Sequence, residues 1–169
     1  ERCQATIGYH FQRPELLRSA LTHASGANTR LASNERMEFL GDAVLGMVVC
    51  EWLYTKYVTF SEGDMTRIKS AVVSRRTCAA ISRELGLHRF LTLGKGMQLD
   101  IPANVLADVF ESLIAAIYLD GGYEAAREFI VKNLASEIAD VAGNTKAENH
   151  KSALQQWGQR VIGESPTYV

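Results

Sequence analysis

The chain contains no uninterrupted apolar run of 18 residues, so it offers no candidate for a membrane-spanning helix. It also lacks the basic-then-apolar opening of a secretory leader; a soluble, cytoplasmic protein with no membrane partner is the expectation. Its three cysteines, Cys3, Cys50 and Cys78, are odd in number, and no Cys or His spacing resembles a zinc site. Free thiols in a reducing compartment follow. No alternating strand pattern precedes Thr167. A formal net charge of -1 gives no overall basic excess for holding a polyanion. What is present is 169 residues with 47% hydrophobic content, enough for one sizeable core and a small additional piece.

The most informative stretch is Asn34 to Tyr54, NERMEFLGDAVLGMVVCEWLY. It reads as a helix with Asn34 as N-cap. From Ala43 to Cys50 it is apolar on every side, the pattern of a helix buried in mid-domain. Its first half nevertheless carries Glu35, Glu38 and Asp42, which at helical spacing fall within roughly a 60° arc. An acid in the first turn complements the helix dipole, which accounts for Glu35. Asp42 lies beyond that effect, between Gly41 and Ala43, small residues that permit close approach.

A second helix is expected over Ala103 to Leu119, with Pro102 at its start. Leu106, Val109, Phe110, Leu113, Ile114 and Ile117 give it a wide apolar face. Asp108 and Glu111, three apart, point from one side. Two largely buried helices thus carry a carboxylate pair each, and four facing acids repel unless a cation holds them. Hard oxygen ligands of this kind suit Mg2+ or Mn2+.

Between these helices, from Met65 to Leu99, stand Arg67, Lys69, Arg75, Arg76, Arg83, Arg89 and Lys95 against one acid, Glu84. Such a run is ordinarily a solvated face; beside a carboxylate cluster it becomes a phosphate track, with Arg67, Lys69, Arg75, Arg76 and Lys95 as the phosphate-contact candidates. Ser61 to Asp64 has capping-box spacing, and Ser74 is placed to cap a helix ending near Gly86. Pro14 opens an early helix, and His23 reads as a capping or packing residue. Tyr123 to Val141 is amphipathic, 143–150 is polar and reads as a linker, and Lys151 to Val161 is a further helix before an extended start at Thr167.

The run NERMEFLGD closely resembles the signature of the ribonuclease III family, and ADVFESLIAAIYLD, residues 107–120, resembles that family's second block. The likeness extends from about Ile7 to Val141, and KSALQQWGQRV with ESPTYV resembles the first helix and strand entry of a double-stranded-RNA-binding domain. The resemblance implies an all-α endonuclease domain over 1–142, a linker over 143–150, and the truncated start of the α/β RNA-binding domain over 151–169. It further implies that Glu38, Asp42, Asp108 and Glu111 are catalytic metal ligands, with Glu35 secondary and Glu62 an outer participant. The implied protein is a homodimer that cuts double-stranded RNA to leave short 3′ overhangs, in rRNA and mRNA processing. Phe39 and Trp52 are candidates for its interface; Met47 is expected in the core. Two rival readings are a non-catalytic RNA-binding relative, whose mark would be loss of one of the four acids, and an unrelated all-α metal phosphohydrolase acting on nucleotides.

Overall fold

Pro102 precedes the helix on which the rest of the chain packs. The computed structural model describes residues 1–97 and 101–161. Its helices are α1 (Arg2–Ile7), α2 (Pro14–Ala20), α3 (Glu35–Lys56), α4 (Glu62–Val72), α5 (Arg75–Glu84) and α6 (Ala103–Val161), joined by short 3-10 turns. Among the described residues there is no strand, only an isolated bridge between Thr22 and Thr92, so the architecture is all-α. No helix among them is long and apolar enough to cross a membrane.

The arm of α6 before Gly122 is the centre of the bundle. Val105, Leu106, Ala107, Val109, Phe110 and every residue from Ser112 to Ile117 are buried, and α2, α3, α4 and α5 all pack on this helix. The Asn34–Tyr54 helix, expected to be buried in mid-domain, packs on it and keeps one face exposed. On α3, Val44, Leu45, Val48, Val49 and Leu53 are buried, whereas Phe39, Ala43, Met47, Cys50 and Tyr54 are exposed. An all-round apolar run can therefore leave one face for solvent or a partner. Met47, expected in the core, is half exposed.

Gly122, at φ 77°, bends α6 and turns its second arm back along the bundle. Phe129, Ile130, Leu134 and Ile138 then bury at helical spacing. The polar stretch 143–150, expected as a linker, is helical and continuous with α6, and Ala142 and Thr145 are buried. Its apolar-poor composition suggested a break, but its inner positions are small enough to keep packing. The expected helix over Lys151 to Val161 continues the same rod. The extended start at Thr167 lies outside the described residues.

Local signals at the shorter helices hold. Ser61 and Asp64 form a reciprocal capping box on α4, and the Ser74 hydroxyl accepts from the Thr77 amide at the start of α5. Pro14 opens α2, and Gly86, at φ 63°, follows the last turn of α5. Asn34 is different. Its side-chain amide donates to the Ala20 carbonyl (3.4 Å) and does not cap α3; the Ser33 hydroxyl accepts from the Glu35 amide at 3.4 Å instead. All three cysteines are free thiols.

Candidate metal centre

The two acid-bearing helices meet at backbone distance. Gly41 on α3 faces the main chain of Glu111 on α6, and the buried Ser112 hydroxyl reaches the carbonyls of Asp108 (2.7 Å) and Asn34 (3.2 Å). That second contact pins the first turn of α3 to α6, fixing where each helix points its acids.

Three carboxylates converge as a result. One oxygen each from Glu38, Asp108 and Glu111 lie within 4.8 Å of one another. Asp42, one turn beyond Glu38, is exposed and lines an open cleft of about 640 Å³ with Glu38, Glu111, Arg30, Glu35 and Arg75. Thus three of the four predicted ligands form a tight group, and Asp42 stands at its edge.

The electrostatics show a site short of positive charge. Burial, then the charges of Asp42, Glu38 and Asp108, push the Glu111 carboxyl up to about 7. Burial and the Asp108 charge raise Glu38, with Arg75 opposing. Burial also raises Asp108, against the lowering effects of Arg75 and His23. The Cys78 thiol, buried, is pushed up to about 12 by its burial and by the charges of Glu111 and Asp42. One cation answers the cluster directly: Arg75, with Nη1 3.4 Å from Asp108 and Nη2 3.7 Å from Glu38.

The donor set fits a hard divalent ion. Asp108 Oδ1 is buried with no hydrogen-bond partner and has only the long ion-pair contact to Arg75 Nη1 (3.4 Å), so its lone pairs remain open to a closer cation. Only oxygen donors converge here, with no thiolate among them.

Apart from Glu35 and Arg75, which line the cleft, the remaining candidates are dispersed. Glu35 is held by Arg30 (2.8 Å), and its carboxyl is lowered chiefly by that hydrogen bond. Glu62 accepts from the Thr66 hydroxyl (2.7 Å) and lines a separate groove with Met47, Cys50, Tyr54 and Lys69. Arg76 lines a third groove, near Glu84 and Asn133; Arg67 pairs with Asp64 (4.0 Å), and Lys95 is exposed in a 3-10 turn. The candidate phosphate contacts therefore spread over several surfaces of one chain. Phe39 is 83% exposed, whereas Trp52 packs partly buried against the core. His23 accepts from the Ser25 amide as a cap. Sequence reasoning missed two features: the inward direction of Arg75, and Ser112 as a lock between the helices.

The family profile described as Ribonuclease-III-like matches residues 13–138. The chain is 52% identical to Ribonuclease 3 of Rhodopirellula baltica over 99% of its own length, and spans 64% of that protein. It is 40% identical to Ribonuclease 3 of Sinorhizobium fredii, covering 99% of this chain and 70% of the relative. Among solved structures, the nuclease domain of ribonuclease III from Campylobacter jejuni, described as flexible in a region involved in dimer formation, superposes with a TM-score of 0.76. It is 33% identical, and the match covers 81% of this chain and 96% of that one.

Proposed function

The chain belongs to the Ribonuclease-III-like family, and from that premise we propose that it is a divalent-metal-dependent endonuclease that hydrolyses phosphodiester bonds of double-stranded RNA. The observation that carries the reading is the convergence of Glu38, Asp108 and Glu111, two of which, Glu38 and Glu111, line one cleft with Asp42. Mg2+ is the proposed ion and Mn2+ its substitute, held by these four carboxylates. Bound there, the ion would supply Lewis acidity, activating a water and stabilising charge on the phosphate and the leaving oxygen.

The chain's own part is positional. α3 and α6, in contact through Gly41 and Ser112, hold the acids at fixed separation. Glu111, with its carboxyl near neutrality, gives up its proton when it becomes a ligand. Glu38 and Asp108 share the cleft with the guanidinium of Arg75, which moderates their repulsion. Duplex RNA is read by A-form shape, phosphates and 2′-hydroxyls, with Arg67, Lys69, Arg76 and Lys95 as outer contacts.

Two chains are proposed to pair through the exposed apolar face around Phe39, Leu31 and Met47, so that two clefts cut opposite strands and leave short 3′ overhangs. Glu62, remote from its own chain's cleft, serves the cleft only as an outer participant. Residues 1–142 are proposed as the catalytic domain, 143–150 as its helical connector, and 151–169 as belonging to an RNA-binding domain. The setting is the cytoplasm, in rRNA and mRNA maturation. Incubation with labelled duplex RNA and with nucleoside triphosphates, each with and without Mg2+, tests the reading. Mg2+-dependent cutting of the duplex alone is expected. Binding without cutting, or triphosphate hydrolysis, would refute it.

A further inference from the structure

Arg75 stands where helix electrostatics disfavour it. It is the first residue of α5, directly after the Ser74 cap, and a cation there opposes the positive end of the helix dipole. The compensation lies across the cleft, in Glu38 and Asp108. Its two contacts, 3.4 and 3.7 Å, are longer than the 2.7–2.9 Å typical of charge-assisted hydrogen bonds. The guanidinium is therefore held by charge and not by a locked fork. Its side chain is 65% exposed, so it has open solvent to move into.

We propose that Arg75 is the resident counter-cation of the carboxylate cleft, a positioning residue that bridges Glu38 and Asp108 in the metal-free chain and withdraws when a divalent cation enters. The inference rests on the reading of this cleft as a metal site. A single positive charge shared between two of three converging carboxylates keeps them ionised and apart while the site is vacant. The same charge then stands against the incoming ion, because both need the same oxygens. Arg75 thereby sets the cation concentration at which the cleft fills. Removing it frees those oxygens and removes a like charge a few ångströms away, which in a water-like dielectric amounts to about a tenfold gain in affinity.

The test uses the whole chain without RNA. Free Mn2+ is counted by electron paramagnetic resonance at pH 8 and fixed ionic strength, for native protein, Arg75→Met, Arg75→Gln and Arg75→Lys. Both charge-free variants should bind about tenfold more tightly, and Arg75→Lys should stay near native. A role confined to the N-terminus of α5 would not separate Lys from Gln in this way. In parallel, the Arg75 Nε resonance should shift during Mg2+ titration with the midpoint of binding. Unchanged or weaker Mn2+ affinity in Arg75→Met and Arg75→Gln would overturn the proposal, as would an Arg75 resonance that stays fixed through saturation. If native protein and all variants bind no Mn2+, the metal-site reading fails first, and this proposal with it.

Discussion

Gly41 and Glu111 meet main chain to main chain: a Cβ on Gly41 would lie 1.8 Å from the Glu111 carbonyl oxygen. No side-chain movement can relieve such an overlap, because the obstacle is backbone. Gly41→Ala gains a little helix propensity but must push α3 away from α6. It should cost about 3 kcal/mol or more of stability and separate the carboxylate pairs. Thermal melts and Mn2+ binding check this; a variant with native melting temperature and native affinity would contradict the packing.

The Glu111 carboxyl gives a pH signature in metal-free protein. Its folded pKa, about 7, lies above the ordinary value of 4.5, so the folded state binds more protons between those limits. Its contribution therefore weakens as pH rises from about 4.5 to about 7 and is unfavourable above. In EDTA, Glu111→Gln should be more stable than native at pH 8, with the advantage shrinking toward pH 5. Denaturant melts at the two pH values measure it. An advantage that grows as pH falls would reverse the assignment.

Asp120 works in the opposite sense and far from the cleft. Its side chain is wholly buried and accepts from the Tyr9 hydroxyl (2.9 Å) and the amides of Gln12 (3.0 Å) and Arg13 (2.9 Å). Burial alone would raise its carboxyl, but these donors and the Arg13 charge bring it below the usual value. The clasp ties the segment before α2 to the bend of α6. It is complete above the ordinary carboxyl pKa and is lost as pH falls through the lower folded value. Asp120→Ala should cost about 3 kcal/mol at neutral pH, read from denaturant melts. A loss below about 0.5 kcal/mol would mean the clasp is replaced by water.

Phe39, 83% exposed on the same helix as the acids, tests the paired arrangement. Phe39→Asp should keep the native helical spectrum while light scattering falls from twice the 18.7 kDa chain mass to one. A variant that stays paired would move the interface elsewhere.

How much of this was legible depended on what a residue's neighbours in sequence can report. Glu38 with Asp42, and Asp108 with Glu111, announce themselves because helical spacing puts each pair on one face. The Ser61–Asp64 capping box, the Ser74 cap and Pro14 are equally local signals. Met47 misled because an apolar run reads as burial whether its own chain or another covers it. Asn34 misled because a helix-starting Asn reads as a cap, and only the nearby Ala20 carbonyl, brought in by α2, draws its amide away. That 143–150 is helical was not legible, because its polarity is visible in the sequence and the burial of Thr145 is not. Arg75 was legible as charge but not as direction: the sequence places it in a basic run, and the packing of α5 on α6 turns it toward the acids.

The central claim, that the converging carboxylates carry out metal-dependent cleavage of duplex RNA, is tested most directly by single-turnover cutting of a labelled duplex in Mg2+ by native protein and Glu111→Gln. Bound and cut RNA are measured in the same reactions. Gln keeps the size and hydrogen bonding of Glu111 but removes the charge. Cutting should fall by more than about a hundredfold while duplex binding persists, since the outer basic residues are untouched. Near-native cutting by Glu111→Gln would contradict the assignment.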